Sequence, residues 1–219
     1  MKKIISLLCC LALAGLILTG CSGSGEPMEE KTYTPEAPVQ EIRLDVRDRQ
    51  IEVSLSEDNQ VHISYFENSR EAYDIAVSDG NVLTMTSAGS KEWTDYIGGK
   101  PSAEERKIFL QVPDALAGSL TLSTTNEDIS LPALSVAGSI SLSSNGGNIS
   151  FDSLGVGGAL TLNVENGDIS GAVAGSYEEF SIQSEVKKGE SNLPDQKDGG
   201  EKVLQVSANN GNVEIAFAE

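Results

Sequence analysis

From Val39 onward the chain alternates apolar and polar residues in short runs. Ile42, Leu44 and Val46 form one such run, and Ile51, Val53 and Leu55 form the next after the polar stretch Arg47-Asp48-Arg49-Gln50. Val61, Ile63 and Tyr65 follow, then Ile75 and Val77, Val82 and Met85, and finally Ile108, Leu110 and Val112. A period of two places successive side chains on opposite faces, so these runs predict half-buried strands. Asn59 and Asp79-Gly80-Asn81 supply turn chemistry between them. No window carries a helical stripe; Ser102–Lys107 is compatible with a single helical turn.

The second half repeats itself. Leu120, Ile140 and Leu160 are spaced 20 apart, as are Leu122, Leu142 and Leu162, and Ile129, Ile149 and Ile169. Leu134 and Leu154, Val136 and Val156, and Gly138 and Gly158 keep the same step. A fixed period with turn residues in register predicts stacked rungs, because one unit cannot bury its apolar face alone. The corners are Asn126-Glu127-Asp128, Gly146-Gly147-Asn148 and Asn166-Gly167-Asp168, residues that tolerate a sharp backbone turn. The clear repeats span 119–178. Phe180 and Ile182 begin a further unit whose turn slips at Lys187-Lys188-Gly189, and Asn192–Lys202 reads as an inserted polar loop. Leu204, Val206, Asn210-Gly211-Asn212 and Val213 then restart the pattern. The final strand, Val213–Phe217, has no later element to cover it. Since open strand edges invite pairing, a shielding loop such as Asn192–Lys202 or self-association is expected there.

The phrases Asn-Gly-Asp-Ile-Ser, Ser-Asn-Gly-Gly-Asn-Ile-Ser and Ala-Asn-Asn-Gly-Asn-Val-Glu-Ile, with Phe109-Leu110-Gln111-Val112-Pro113 ahead of them, resemble the repeats of the DUF4097 family, grouped as adhesins. The resemblance covers roughly 39–219. It implies an all-β solenoid of the right-handed β-helix kind, with rungs of about 20 residues and antiparallel-type strands before them. The family's adhesin label rests on fold and says little about function. Two departures stand out: Glu127 occupies a position that is Gly in the other corners, and the fourth unit lacks the corner motif.

Residues 1–20 read as a secretion signal. Lys2 and Lys3 precede the apolar run Ile4–Leu18, which is too short to span a bilayer comfortably, and Leu18-Thr19-Gly20-Cys21 has the form of a lipobox. Cys21 is therefore expected to carry the lipid. It is the sole cysteine left once Cys9 and Cys10 depart with the signal, so no internal disulfide forms. Residues 21–38, rich in Ser, Gly, Pro and charge, read as a flexible tether. Stretched at ~3.3–3.6 Å per residue, Ser22–Pro38 would reach roughly 55–60 Å. Loss of Lys2 and Lys3 takes the formal charge from −18 to −20. Such acidity argues against nucleic acid and against lying flat on an anionic membrane. The expected site is thus the outer face of a cell or envelope membrane, with an unidentified protein or glycan as partner.

Catalytic chemistry has few places to reside. Asp128, Asn148 and Asp168 fall in one column, and with rungs ~4.8 Å apart the two carboxylates would lie ~10 Å apart. That is near the ~6.5–9.5 Å used by inverting glycosidases. Yet no Lys, Arg or His occurs between Ile108 and Val186, so a lyase or hydrolase on acidic sugars would lack cationic partners. Calcium between stacked oxygens would need six or more of them, denser than this column provides. His62, the one histidine, alternates outward on its strand and has no cysteine or second histidine with which to hold zinc. Gly-Val-Gly-Gly at 155–158 precedes a strand rather than a helix and so fails as a dinucleotide loop. No cofactor is implied. Trp93 and Tyr96, among charges in the Ser87–Arg106 interruption, form the one candidate partner-binding loop, or else fold back over the end of the stack. The expectation is a lipid-anchored, non-catalytic solenoid used for binding or as scaffold; the rival is a carbohydrate-active β-helix enzyme.

Overall fold

A computed structural model describes residues 26–88 and 101–218. Cys21, Trp93 and Tyr96 lie outside the described residues. The first strands are β1 (Glu29–Tyr33), β2 (Glu41–Asp45), β3 (Gln50–Leu55), β4 (His62–Glu67), β5 (Tyr73–Val77), β6 (Val82–Ser87) and β7 (Lys107–Val112). A 3-10 turn at Glu104–Arg106 is the single helical turn anticipated before β7. The repeats then supply β8 (Ala115–Leu116), β9 (Leu120–Thr124), β10 (Ile129–Leu131), β11 (Leu134–Val136), β12 (Ile140–Ser144), β13 (Ile149–Val156), β14 (Ala159–Asn166) and β15 (Ile169–Ala174). Last come β16 (Phe180–Lys188), β17 (Gln196–Lys197), β18 (Lys202–Asn210) and β19 (Val213–Ala218).

These strands form two sheets, joined at the corners into an all-β solenoid. One runs β5-β6-β2-β9-β12-β14-β18-β16-β17; the other runs β1-β4-β7-β3-β10-β13-β15-β19, with β11 also paired to β13 and β8 to β11. The 20-residue step is the parallel register itself. Leu120, Ile140 and Leu160 are direct partners, as are Leu122, Leu142 and Leu162. Ile129, Ile149 and Ile169 pair in the other sheet. Their side chains point inward and are fully buried or nearly so, and each such burial stabilises by ~1.5–3 kcal/mol relative to exposure.

Chain order and spatial order diverge at both ends. At the N-terminal end β2 and β3 lie inside the stack, between β9/β10 and the later-made β6/β7. Among the early strands β1, β4 and β5 run antiparallel to their neighbours, and they close that end; the others join the solenoid in parallel. At the C-terminal end β18 pairs directly with β14, Leu160 opposite Leu204, and β16 lies on its outer side. The expected fourth unit is thus the cap, and the restarted fifth unit stacks on the third. β16 carries the rung's apolar spacing in Phe180 and Ile182, but it lacks the Asn-Gly-Asn corner: past Lys188 the chain follows the β18–β19 corner only as far as a single bridge between Ser191 and Val213 before entering the polar loop.

Three further details differ from the sequence pattern. The stretch read as tether contains β1, whose Lys31 pairs with Tyr65 and Tyr33 with Ile63; Lys31 and Tyr33 alternate enough to lie on β4. Leu55 is 42% exposed, because it ends its strand beyond the last buried position, Val53. In β6 the inward pair is Leu83 and Met85, not Val82.

Candidate functional site

The corner column is built from two interlocking ladders. In the first, Asn148 N–H donates to Asp128 Oδ1 at 2.7 Å, Asp168 N–H to Asn148 Oδ1 at 2.9 Å, and Asn212 N–H to Asp168 Oδ1 at 2.7 Å. Asn212 Oδ1 in turn accepts Glu190 N–H at 3.0 Å. Each side chain therefore accepts the backbone donor of the rung above, which the extended ladders leave unpaired at a corner. The partner is the next rung, not the residue's own turn as an Asx turn would have it. The second ladder is glycine. A Cβ on Gly147 would sit 2.1 Å from Glu127 O, and one on Gly167 2.2 Å from Gly147 O. Backbone carbonyl packs directly onto the next Cα, so the column admits glycine alone.

Glu127 starts this column, which explains its departure from glycine. Its side chain turns aside to an ion pair with Arg106, just ahead of β7. Inside the corner, Ser144 Oγ donates to Glu127 O at 2.9 Å and accepts Gly147 N–H at 3.0 Å, so the buried hydroxyl is satisfied twice.

At the N-terminal end two polar clusters fasten the closing strands. Buried Arg49 pairs with Glu71 and lies over Tyr73, 6.0 Å from the ring centre. Burial pushes the Tyr73 phenol above its ordinary value. Breaking such a buried pair is costly because it strands a charge. His62 is half-buried rather than free on the surface: Nε2 is 2.9 Å from Asp58 Oδ1, and Nδ1 is 2.8 Å from Thr34 Oγ1. The hydrogen bond from His62, with the Gln60 N–H, holds the Asp58 carboxyl below the ordinary aspartate value. Sequence spacing could link Asp58 to His62, but not Thr34, which arrives through β1. Beside this cluster Pro35, Pro38, Val61, Pro113 and Leu116 line an open groove of about 460 Å³. On the sheet face, Ser130, Ser150 and Ser170 line a shallower groove of about 350 Å³ with Phe151 at its floor.

Among the described residues, no cluster of three or more His, Cys, Asp or Glu is placed to hold a metal ion. None of their helices is long and apolar enough to cross a membrane.

Residues 39–176 match the family model Toastrack DUF4097. The chain belongs to this family. Among solved structures, a candidate cell adhesion protein from Clostridium sporogenes ATCC 15579 shares 14% identity, with 88% of this chain and 100% of that one covered at a TM-score of 0.58. That likeness shows the fold. A candidate adhesin from Bacteroides fragilis NCTC 9343 aligns at 13% identity over 89% of this chain and 98% of its own, with a TM-score of 0.36. No curated protein matches. The family span covers the clear repeats to within two residues of their end and stops before β16, so the inverted C-terminal end lies beyond it.

Proposed function

We propose that this Toastrack-family chain is an envelope protein, anchored by lipid at Cys21, whose solenoid binds a protein or glycan partner or serves as scaffold without catalysing a reaction. The observation that carries the non-catalytic reading is the corner ladder. Asp128 and Asp168 each direct an oxygen at a backbone N–H, and Asn148 performs the same task between them. A residue pair acting as acid and base could not tolerate an amide in an equivalent role, whereas a corner acceptor can. The Thr34–His62–Asp58 chain has the order of a hydroxyl, a base and an orienting carboxylate. Here it works as a clasp, since Thr34 lies at the end of the N-terminal strap that His62 fixes. The adhesin naming of the structural relatives agrees with an exposed binding role.

The test has two arms. Wild-type protein is assayed on cell-wall and plant polysaccharides and on activated esters, beside Asp168→Asn and Thr34→Ala. No turnover is expected; activity lost in either variant would install the enzyme reading instead. Cys21→Ser is expected to move the protein to the soluble exported fraction, because one diacylglyceryl group supplies the two chains that stable anchoring needs. Retention on membranes after a high-salt wash would refute Cys21 as the anchor.

A further inference from the structure

The N-terminal strap changes where the domain stands. β1 pairs with β4 over five residues, Glu29 opposite Glu67 through Tyr33 opposite Ile63. Both ends of the strap are pinned. At its start, the Glu26 carboxylate accepts Ser69 N–H at 3.3 Å and the Ser69 hydroxyl, while Asn68 Nδ2 donates to Glu26 O at 3.2 Å. At its finish, Thr34 meets His62. The pinned chain reaches back to Glu26, and five chain steps separate Glu26 from Cys21. At ~3.3–3.6 Å per residue these steps span at most ~17–18 Å, against the ~55–60 Å of an unstructured 22–38 segment.

The strap also occupies one extreme of the stack. In its sheet the spatial order runs from β1 through β4, β7, β3, β10, β13 and β15 to β19, seven steps of ~4.8 Å or roughly 34 Å in all. In the other sheet β5 lies at the same end as β1, and β16 and β17 lie at the far end. The tether is thus shorter than the stack is tall, and it leaves from one end. A formal charge of −18, −20 without the signal lysines, resists laying the long side against anionic lipid.

From these observations, and resting on the Cys21 anchoring proposed above, we infer that the solenoid stands end-on. The β1–β4–β5 end is its membrane-proximal face, apposed to the lipid surface. The β16–β17 cap, with the 189–201 loop, is held outward as the surface presented to anything approaching from outside. Glu190, Asp195, Asp198 and Glu201 give that outer loop an acidic face, with Lys197 among them and Lys187 and Lys202 at its two ends.

The absence of any other thiol in the lipidated mature chain makes a direct test practical. Glu30→Cys on β1 and Asp198→Cys beyond β17 are both exposed positions and each gives a single labelling site. The full lipidated protein is reconstituted in phosphatidylcholine/phosphatidylglycerol vesicles, and each label is read by quenching from headgroup-attached quenchers. Label 30 is expected to be quenched several-fold more than label 198. Inserting a twelve-residue Gly/Ser segment between Gly25 and Glu26 leaves the fold untouched and is expected to erase most of that difference. Equal quenching at the two positions in the parent chain overturns the end-on stance, and so does a difference that survives the insertion. Failure of the protein to float with vesicles before any labelling overturns the Cys21 anchoring itself, which separates the two readings.

Discussion

Gly147→Ala adds one methyl group and nothing else, because Gly147 is not among the glycines of positive φ. The new Cβ would lie 2.1 Å from Glu127 O, 2.2 Å from Glu127 C and 2.7 Å from Asp128 N, all backbone atoms of the rung below. Relief requires the two corners to part by about 1 Å, since real Cβ contacts begin near 3 Å. Two hydrogen bonds cross the same gap: Asn148 N–H to Asp128 Oδ1 at 2.7 Å, and Ile129 N–H to Asn148 O at 2.9 Å. Parting by about 1 Å takes both out of range, at ~0.5–1.5 kcal/mol each. Residual overpacking adds ~1–3 kcal/mol if the rungs resist. A loss of about 3 kcal/mol is expected in urea unfolding of the soluble domain, read as a lower midpoint with an unchanged slope. The control is Gly80→Ala in the β5–β6 turn, where the nearest atoms to an added Cβ are 3.7 and 3.9 Å away, and where less than ~0.5 kcal/mol is expected. Equal stabilities for the two variants would refute the carbonyl-on-Cα packing of the corner column.

Leu142→Ala, in the middle of a fully buried column, should cost ~2–5 kcal/mol, and its outward neighbour Ser141→Ala less than ~0.5 kcal/mol; equal losses in urea would refute the inward register. Asn192 closes the edge of β19, donating from Nδ2 to Ile215 O at 2.8 Å and accepting Ile215 N–H at 3.0 Å. Asn192→Ala should cost ~1–2 kcal/mol, and Asn192→Asp at least as much because it opposes two oxygens; an Asp variant as stable as wild type would sink this edge reading. Both variants should also dimerise more readily in size-exclusion runs, since the strand edge is opened. The Lys202 ammonium holds the Glu179 carboxyl below the ordinary glutamate value. That contribution is present above the unfolded pKa of about 4.3 and is lost as pH falls through the lowered folded value. Thermal midpoints should therefore fall less steeply between about pH 5 and pH 3 in Glu179→Gln than in wild type; identical profiles would show that the pair contributes nothing.

Much of this architecture was legible in the residues. The spacing of Leu120, Ile140 and Leu160 is the ladder register, and the Asn, Asp and Gly corners fall where the backbone turns. The corner side chains were readable as acceptors, though not as acceptors of the next rung's donor, because local turn chemistry and rung-to-rung bonding ask for the same residue types. The strap was missed because Glu29–Tyr33 has one strongly apolar side chain, Tyr33, and owes its strand to the edge that β4 offers. The inversions at the ends were invisible for a different reason. Phe180 and Ile182 carry the same apolar spacing as Leu204 and Val206, so periodicity identifies both as rung strands and cannot say which one touches β14. That choice falls to the corner: the restarted unit has Asn-Gly-Asn to receive the Asp168 ladder, and the earlier one has Lys-Lys-Gly.

That inversion alters what it means to finish the molecule. An ordinary repeat array grows by accretion, each new repeat docking on the one just made, and a truncated chain is simply a shorter array. Here residues 202–218, made after both of the strands they separate, are a keystone. They form β18 and β19, and β18 slides between β14 and β16, two strands already made that otherwise have no contact ladder with each other. Until those residues arrive, β16 has no parallel neighbour to lean on, and the end of the stack stays open. A chain cut at 201 would therefore lose its cap as well as its last rung.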